Sequence, residues 1–432
     1  MPATIAIVGT GYVGLTTGAY LAHLGHKVTC ADVVPEKVDQ LNRGELPILE
    51  AGLEDLVTEG LASGRLSFVL GAARAVAGAE FVFLCVPTPQ GEDGSADLRY
   101  VRQAAAEIAP ELEPECVVIN KSTVPVGSAR VVEEALGRDD VFVVSNPEFL
   151  REGSAVHDCL HPDRIVIGSG DQAVAMRVAE LFEALRAPLV ITDPASAEMI
   201  KYASNAFLAT KVSFVNALAN VCEAVGADVR EVVLGMGHDP RIGVEFLKPG
   251  PGWGGSCFPK DTRAMVHIAE EAGYDFNLLR GVIAVNDEQY ERMADKVEQM
   301  MGTSLEGCEV GAWGLTFKAR TDDLRSSPAI EVIRRLQARG ARVRAYDPTV
   351  DPPVATSDPR LAGIELRADP YAVCEGADVV VVLTEWDELR WLDFAKVSGL
   401  MAVPRIVDTR NLLEAPALRR QGFAYVGLGR DG

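Results

Sequence analysis

The sequence predicts an α/β protein with two doubly wound βαβ domains, joined by a long central helix and further helices. Three observations carry that prediction. Near the N-terminus a short apolar strand runs straight into a glycine-rich turn and a helix; the same strand, helix, strand and acid pattern returns after residue 303; and a helical stretch with few breakers separates the two. A chain of 432 residues is also too long for one ordinary core.

Thr4-Ile5-Ala6-Ile7-Val8 reads as the first buried strand and leads into Gly9-Thr10-Gly11-Tyr12-Val13-Gly14. A helix follows, stopping at Gly25, and a second strand, 27–31, ends at Asp32. GxGxxG alone is a weak signal. Set between a strand and a helix, with an acid 18 residues after its third glycine, it is a strong dinucleotide fingerprint. The glycines admit a pyrophosphate to the helix N-terminus, and Asp32 is placed to accept from ribose hydroxyls. A carboxylate there repels a 2′-phosphate, which favours NAD over NADP. The domain is therefore expected to be Rossmann-like. Further strands are expected over 80–86, 116–120 and 141–145, running into Pro87-Thr88-Pro89, Lys121-Ser122-Thr123 and Asn146-Pro147-Glu148-Phe149-Leu150-Arg151-Glu152-Gly153. Ligand groups gather beyond the carboxyl ends of such strands. Taken singly, Thr123 reads as readily as a turn residue, and Glu148 as a solvated loop acid.

Residues 196–225 read as one long helix, apolar over much of its circumference, which points to a dimer interface or a hub between domains. Lys201 and Asn205 share a face of it, as do Asn216 and Asn220. Lys201 by itself reads as a snorkelling lysine. Next comes Pro249-Gly250-Pro251-Gly252-Trp253-Gly254-Gly255-Ser256-Cys257-Phe258-Pro259-Lys260-Asp261. Four glycines in six residues let the backbone press against a ligand, and the prolines hold the loop in shape. Cys257 falls near the start of a helix ending at Gly273, with Lys260 close by, and both features favour a thiolate. A buried structural cysteine is the plainer alternative. More helix is expected over 276–301.

The last part repeats the first. Residues 336–347 parallel 21–32, and 376–384 parallel 78–86. This second Rossmann-like domain lacks the full glycine fingerprint; its first turn offers Lys318, Arg320 and Arg325, which suggests a different phosphorylated ligand. The expected domains are 1–193 for NAD, 194–302 for the helices and cysteine loop, and 303–432 for that other phosphorylated ligand.

A net charge of −21 argues against a nucleic-acid or anionic-membrane partner, though a locally basic pocket for an anionic substrate remains compatible with it. Eight scattered cysteines, with no CxxC and no Cys/His pairing at zinc spacing, predict reduced core thiols and no metal site. With a strand beginning almost at once and no apolar run of membrane-spanning length, the expectation is a soluble cytoplasmic protein. A hydride acceptor combined with a nucleophilic cysteine predicts oxidation of an alcohol beyond the aldehyde. A thiolate converts the aldehyde into a tetrahedral hydride donor, and water later releases an acid from the thioester. That is a four-electron oxidation using two NAD.

With these motifs assembled, the sequence resembles the UDP-glucose/GDP-mannose dehydrogenase family over essentially its whole length, and most resembles its UDP-glucose branch. The matching segments are 9–15, 85–89, 122–127, 146–153, 198–205, the loop through Asp261, and Phe317-Lys318 to Pro328. The resemblance implies oxidation of UDP-glucose to UDP-glucuronate with two NAD and water; the same chemistry on GDP-mannose or another nucleotide sugar is the alternative. It implies Cys257 as the nucleophile and Lys201 with Asn205 as oxyanion donors. Asp261 with Thr123 is implied to hold a water, and Glu148 to help activate water for thioester hydrolysis. For the cofactor it implies Gly9, Gly11, Tyr12, Val13, Gly14, Asp32, Lys37, Pro87, Thr88, Ser122, Thr123, Glu152, Lys260 and Arg325. For the sugar nucleotide it implies Glu148, Phe149, Leu150, Arg151, Lys201, Asn205, Arg241 (across a homodimer interface), Phe246, Leu247, Lys248, Gly254 and Lys318. Trp253 and Ser326 depart from residues common in the family, and neither departure touches the chemistry. A two-electron hydroxyacid-type dehydrogenase leaves Cys257 without a purpose. A non-catalytic sensor leaves Cys257, Lys201, Thr123 and Glu148 all unexplained.

Overall fold

Apolar strands alternate with amphipathic helices along most of the chain, so the central strands of each sheet are covered on both faces and read as nearly continuous apolar runs, while the edge strands are partly exposed. The computed structural model describes residues 2–91, 95–355 and 357–430. The chain forms two compact units: one runs through Ser204 and includes Arg263–Gly273, and the other comprises Asn205–Thr262 with the chain from Tyr274 onward.

The first unit is built on eight strands: β1 (Thr4–Val8), β2 (Lys27–Asp32), β3 (Leu66–Leu70), β4 (Phe81–Leu84), β5 (Val117–Asn120), β6 (Phe142–Ser145), β7 (Ile165–Gly168) and β8 (Leu189–Thr192). Their spatial order is β3-β2-β1-β4-β5-β6-β7-β8. The pairs from β3 through β6 are parallel, and the chain reverses between β1 and β4, where the crevice of a doubly wound sheet opens. One apolar cluster (Ile5, Ile7, Leu15, Phe83, Ile119) packs on one face; a second (Ala6, Val82, Leu84, Val118, Val132) packs on the other. Sequence reading foresaw β1, β2 and β4–β6 to within two residues. It did not foresee that β7 pairs antiparallel with β6 and carries β8 beyond it.

The second unit holds a six-stranded sheet: β9 (Glu309–Trp313), β10 (Arg342–Tyr346), β11 (Ile364–Leu366), β12 (Val379–Val382), β13 (Arg405–Asp408) and β14 (Ala424–Val426). The order β11-β10-β9-β12-β13-β14 repeats, strand for strand, that of β3 through β6, and every pair is parallel. Trp313, fully buried at the end of β9, anchors one face of this core. The predicted long helix runs over Pro194–Val225, starting in the first unit and continuing in the second; the others expected span Phe258–Glu271 and Asn277–Met301.

Candidate active site

The predicted site residues fall into two sets, one within each unit. In the first, the glycine turn is shaped by close packing. A Cβ on Gly9 would stand 2.6 Å from the Cys85 carbonyl oxygen, and one on Gly14 would stand 1.9 Å from the Gly9 carbonyl. Gly11 by contrast faces open space and caps the helix Tyr12–His23. A helix start left open in this way presents unpaired N–H groups that suit an anion. Asp32 accepts from Thr10, from the backbone N–H groups of Val33 and Val34, and from Lys37 Nζ at 2.9 Å. Burial raises its pKa, but the Thr10 and Lys37 bonds outweigh burial and hold it at about 2. The turn, the helix start and an ionised acid at the end of β2 together fit NAD.

Beyond β4, β5 and β6 the predicted segments interlock. Thr88 Oγ1 donates to the Thr123 carbonyl (2.8 Å), and Ser122 Oγ donates to the carbonyls of Leu84 and Val86. Glu148 is buried rather than a solvated loop acid, and Lys201 is buried rather than snorkelling: Nζ donates to Glu148 Oε1 at 2.7 Å, with side chains only 4% and 6% exposed. The other Glu148 oxygen accepts from Leu150 N (2.7 Å). Burial opposes the Glu148 charge, yet Lys201, the Leu150 N–H and Lys121 prevail, so its pKa lies below the usual carboxylate range. The Phe149 ring stacks under the Arg164 guanidinium (3.6 Å) with Lys201 Nζ 5.6 Å from its centroid, and Arg151 pairs with Asp158.

In the second unit the loop differs from expectation in what its glycines approach. Cβ atoms would strike protein: Tyr290 at Gly252, the Ser326 carbonyl (2.0 Å) at Gly254, and the Phe317 ring at Gly255. The loop is thus clamped from behind. Asn216 Oδ1 accepts from Gly250 N, Gln289 donates to the Gly250 carbonyl, Asn286 brackets the Trp253 backbone, and the Trp253 indole donates to Ser213. Cys257 immediately precedes the helix Phe258–Glu271, as expected, and is half-buried, with Ser256 Oγ 3.5 Å from its sulfur. Burial pushes Cys85, Cys116, Cys159 and Cys374 up to about 12. Lys260 Nζ pairs with Asp261, 2.7 Å from its Oδ1. Asp261 is fully buried, and its other oxygen accepts from Asn205 Nδ2 at 2.6 Å.

The remaining predicted contacts are more peripheral. Leu247 is buried, Phe246 takes a left-handed φ of 62° beside the Phe258 ring, and Lys248 is exposed. Arg241 is exposed and forked onto Asp239. Arg325 pairs with Asp323, and Lys318 Nζ lies 5.3 Å from the Phe317 ring centroid. Pro87 is exposed, while Val13 and Glu152 are half-buried.

Sequence reasoning missed several groups that hold these segments. Lys121 is buried and donates to Asn146 Oδ1 (3.0 Å), while Asn146 Nδ2 donates to the Val166 carbonyl of β7. Glu50 accepts from the Tyr12 hydroxyl and from Gly153 N, tying the 146–153 loop to the glycine-turn helix. Glu198 accepts from Gly127 N and Ala129 N, at the helix start that follows Thr123. The run Lys121-Ser122-Thr123 gave a signal for Lys121, but nothing in the sequence pairs Glu50 or Glu198 with partners so far along the chain.

Known proteins resemble this chain over nearly its whole length. Residues 3–186 match the NAD binding domain of the UDP-glucose/GDP-mannose dehydrogenase family, 195–288 its central domain and 311–415 its UDP binding domain. The UDP-glucose 6-dehydrogenase TuaD of Bacillus subtilis (strain 168) is 45% identical, over 99% of this chain and 93% of its own. A UDP-glucose 6-dehydrogenase of Rhizobium meliloti (strain 1021) is also 45% identical, over 99% of both. A solved UDP-glucose dehydrogenase from the hyperthermophilic archaeon Pyrobaculum islandicum superposes with a TM-score of 0.91 at 38% identity, covering 100% of this chain and 98% of that one. The glycine turn, Asp32, the buried Lys201–Glu148 pair and the clamped cysteine loop thus sit in a chain that belongs to the UDP-glucose/GDP-mannose dehydrogenase family.

Proposed function

We propose that this chain oxidises the C6 hydroxyl of UDP-glucose to a carboxylate, reducing two NAD+ and consuming one water, through a covalent adduct on Cys257. The observation that carries the cysteine's role is its placement: half-buried at the start of a helix, on a loop clamped by Asn216, Asn286 and Gln289. Gly9, Gly11, Gly14 and Asp32 would hold NAD+, which would supply the hydride acceptor, a fresh molecule for each of the two oxidations. Cys257 sulfur adds to the C6 aldehyde to give a thiohemiacetal, loss of hydride from that carbon leaves a thioester, and water cleaves it to acid and free thiolate.

Lys201 and Asn205 supply the donors for the oxygen that becomes negative at each tetrahedral stage; fixed donors of this kind contribute roughly 3–4 kcal/mol each. Glu148, held ionised by its partners, is suited to take a proton from the hydrolytic water. The family resemblance gives Asp261 and Thr123 the water used in proton transfer. Arg241, Lys248 and Lys318 bring positive charge for the diphosphate on a chain of net charge −21. The three functional parts are 1–193, 194–302 and 303–432. No helix among the described residues is long and apolar enough to cross a membrane, and the reading assigns the protein to the cytoplasm.

A homodimer belongs to the same reading. Phe207, Phe214, Val221 and Val225 follow one another at intervals of seven, seven and four along the long helix and are 52–70% exposed. A second copy covers such a stripe.

The test is stoichiometry with UDP-glucose and, in parallel, GDP-mannose. Two NADH per UDP-glucose and a uronate product are expected; one NADH, or preference for GDP-mannose, sinks the assignment. Cys257→Ala should bind NAD normally and lose net acid formation by more than about 10³-fold.

A further inference from the structure

Glu198 stands on the long helix three residues before Lys201, so the two side chains share a face. It is 3% exposed. One carboxylate oxygen accepts from Gly127 N at 2.6 Å, while the other accepts from Ala129 N and from Ser145 Oγ, both at 2.9 Å. Gly127 and Ala129 open the helix Ser128–Leu136, directly after the Ser122–Thr123 turn. Ser145 ends β6, three residues before Glu148. A single side chain therefore touches the segment bearing Thr123 and the strand end leading to Glu148, from the helix that bears Lys201.

Capping alone does not account for this arrangement. A helix N-terminus is ordinarily satisfied by a Ser, Thr or Asp at the cap itself. Here the cap is Gly127, at φ 93°, and the acceptor comes from 71 positions away. Burying a carboxylate costs several kcal/mol, far more than a local cap. What the remote acid adds is register among three segments. We propose that Glu198 is a positioning residue for the reaction: it fixes Thr123 and Glu148 against Lys201 before substrate arrives. The inference rests on the roles given to those three residues above. Displacing such groups by about 1 Å costs roughly 10²-fold in rate, and the loss falls on turnover because Glu198 touches none of the groups assigned to the sugar nucleotide's diphosphate.

The test is steady-state kinetics of Glu198→Gln, Glu198→Ala and Ser145→Ala, with active sites counted by NAD binding. Glu198→Gln keeps the size but leaves one acceptor oxygen for three donors; kcat should fall about 10–30-fold, and about 100-fold in Glu198→Ala. KM for UDP-glucose should stay within about threefold in both. Ser145→Ala, which leaves the helix cap in place, should lower kcat about threefold. The proposal is overturned by a Glu198→Gln kcat within twofold of wild type, or by a loss that vanishes once folded sites are counted. If neither Glu198 variant folds, Ser145→Ala decides: an unchanged kcat overturns it. NADH stoichiometry of the wild type is measured alongside. Two NADH with an unaffected Glu198→Gln enzyme defeats this inference alone, whereas one NADH defeats the catalytic reading beneath it.

Discussion

The two sheets share one strand order and end their second strands on the same residue type, yet the two aspartates are surrounded differently. Asp32 is held by Thr10, two backbone N–H groups and Lys37, and keeps a tenth of its side chain exposed. Asp347 accepts from the Leu315 and Thr316 backbone, both threonine hydroxyls of Thr316 and Thr349, Thr349 N, and the Trp386 indole at 3.0 Å. It is 2% exposed. In the first domain an acid faces a turn with Gly11 open; in the second, a tryptophan closes the corresponding place and the acid holds its own turn together. Repeated topology therefore supplied two frames, and a few side chains at the strand ends decided that the first acid keeps an exposed edge while the second is sealed.

Exchanging the acids one at a time is the strongest way to break the comparison. Asp32→Ala should weaken NAD binding on the order of 100-fold, because charged hydrogen bonds are worth about 1.5–3 kcal/mol each. Asp347→Ala should leave NAD affinity unchanged and lower stability by about 3 kcal/mol, since it orphans buried backbone donors. Calorimetric titration and thermal unfolding separate the two; loss of NAD binding in the Asp347 variant would end the distinction.

A pH series sharpens it next. With the Asp32 pKa lowered from 3.8 to about 2, its contribution to folding is complete above about pH 4 and is lost as pH falls toward 2. In Asp32→Asn that part of the acid-unfolding curve should disappear. The smallest expected effect belongs to Trp386→Phe. It removes one indole N–H from Asp347 and should cost about 1 kcal/mol, with no change in cofactor affinity.

The same contrast shows where sequence reading succeeds. Gly9, Gly11, Gly14 and Asp32 were legible because their constraints are local: a tight turn, a helix start and a strand end within one βαβ unit. The repeat was legible because residues 336–347 reproduce the turn and strand of 21–32. Lys201 was not legible as a buried ion, since its partner Glu148 lies 53 positions earlier and only the packed helix brings them together. The glycines at 252, 254 and 255 were assigned to ligand approach, but Tyr290, Ser326 and Phe317 press on them from distant segments. Nor did any local signal mark the antiparallel pairing of β7, whose Val166 carbonyl accepts from the Asn146 side-chain amide.

By itself the sequence determined which segments become strands and helices, that the arrangement occurs twice, and which residue types could carry hydride and thiol chemistry. These follow from periodicity and from turns that only glycine tolerates, and both act over a few residues. Tertiary structure alone decided which acid is sealed by Trp386, which lysine is buried against Glu148, and which carboxylate bridges Gly127, Ala129 and Ser145. Charge state and hydrogen-bond partner depend on burial and on neighbours brought in from elsewhere in the chain, and those exist only once the segments have packed.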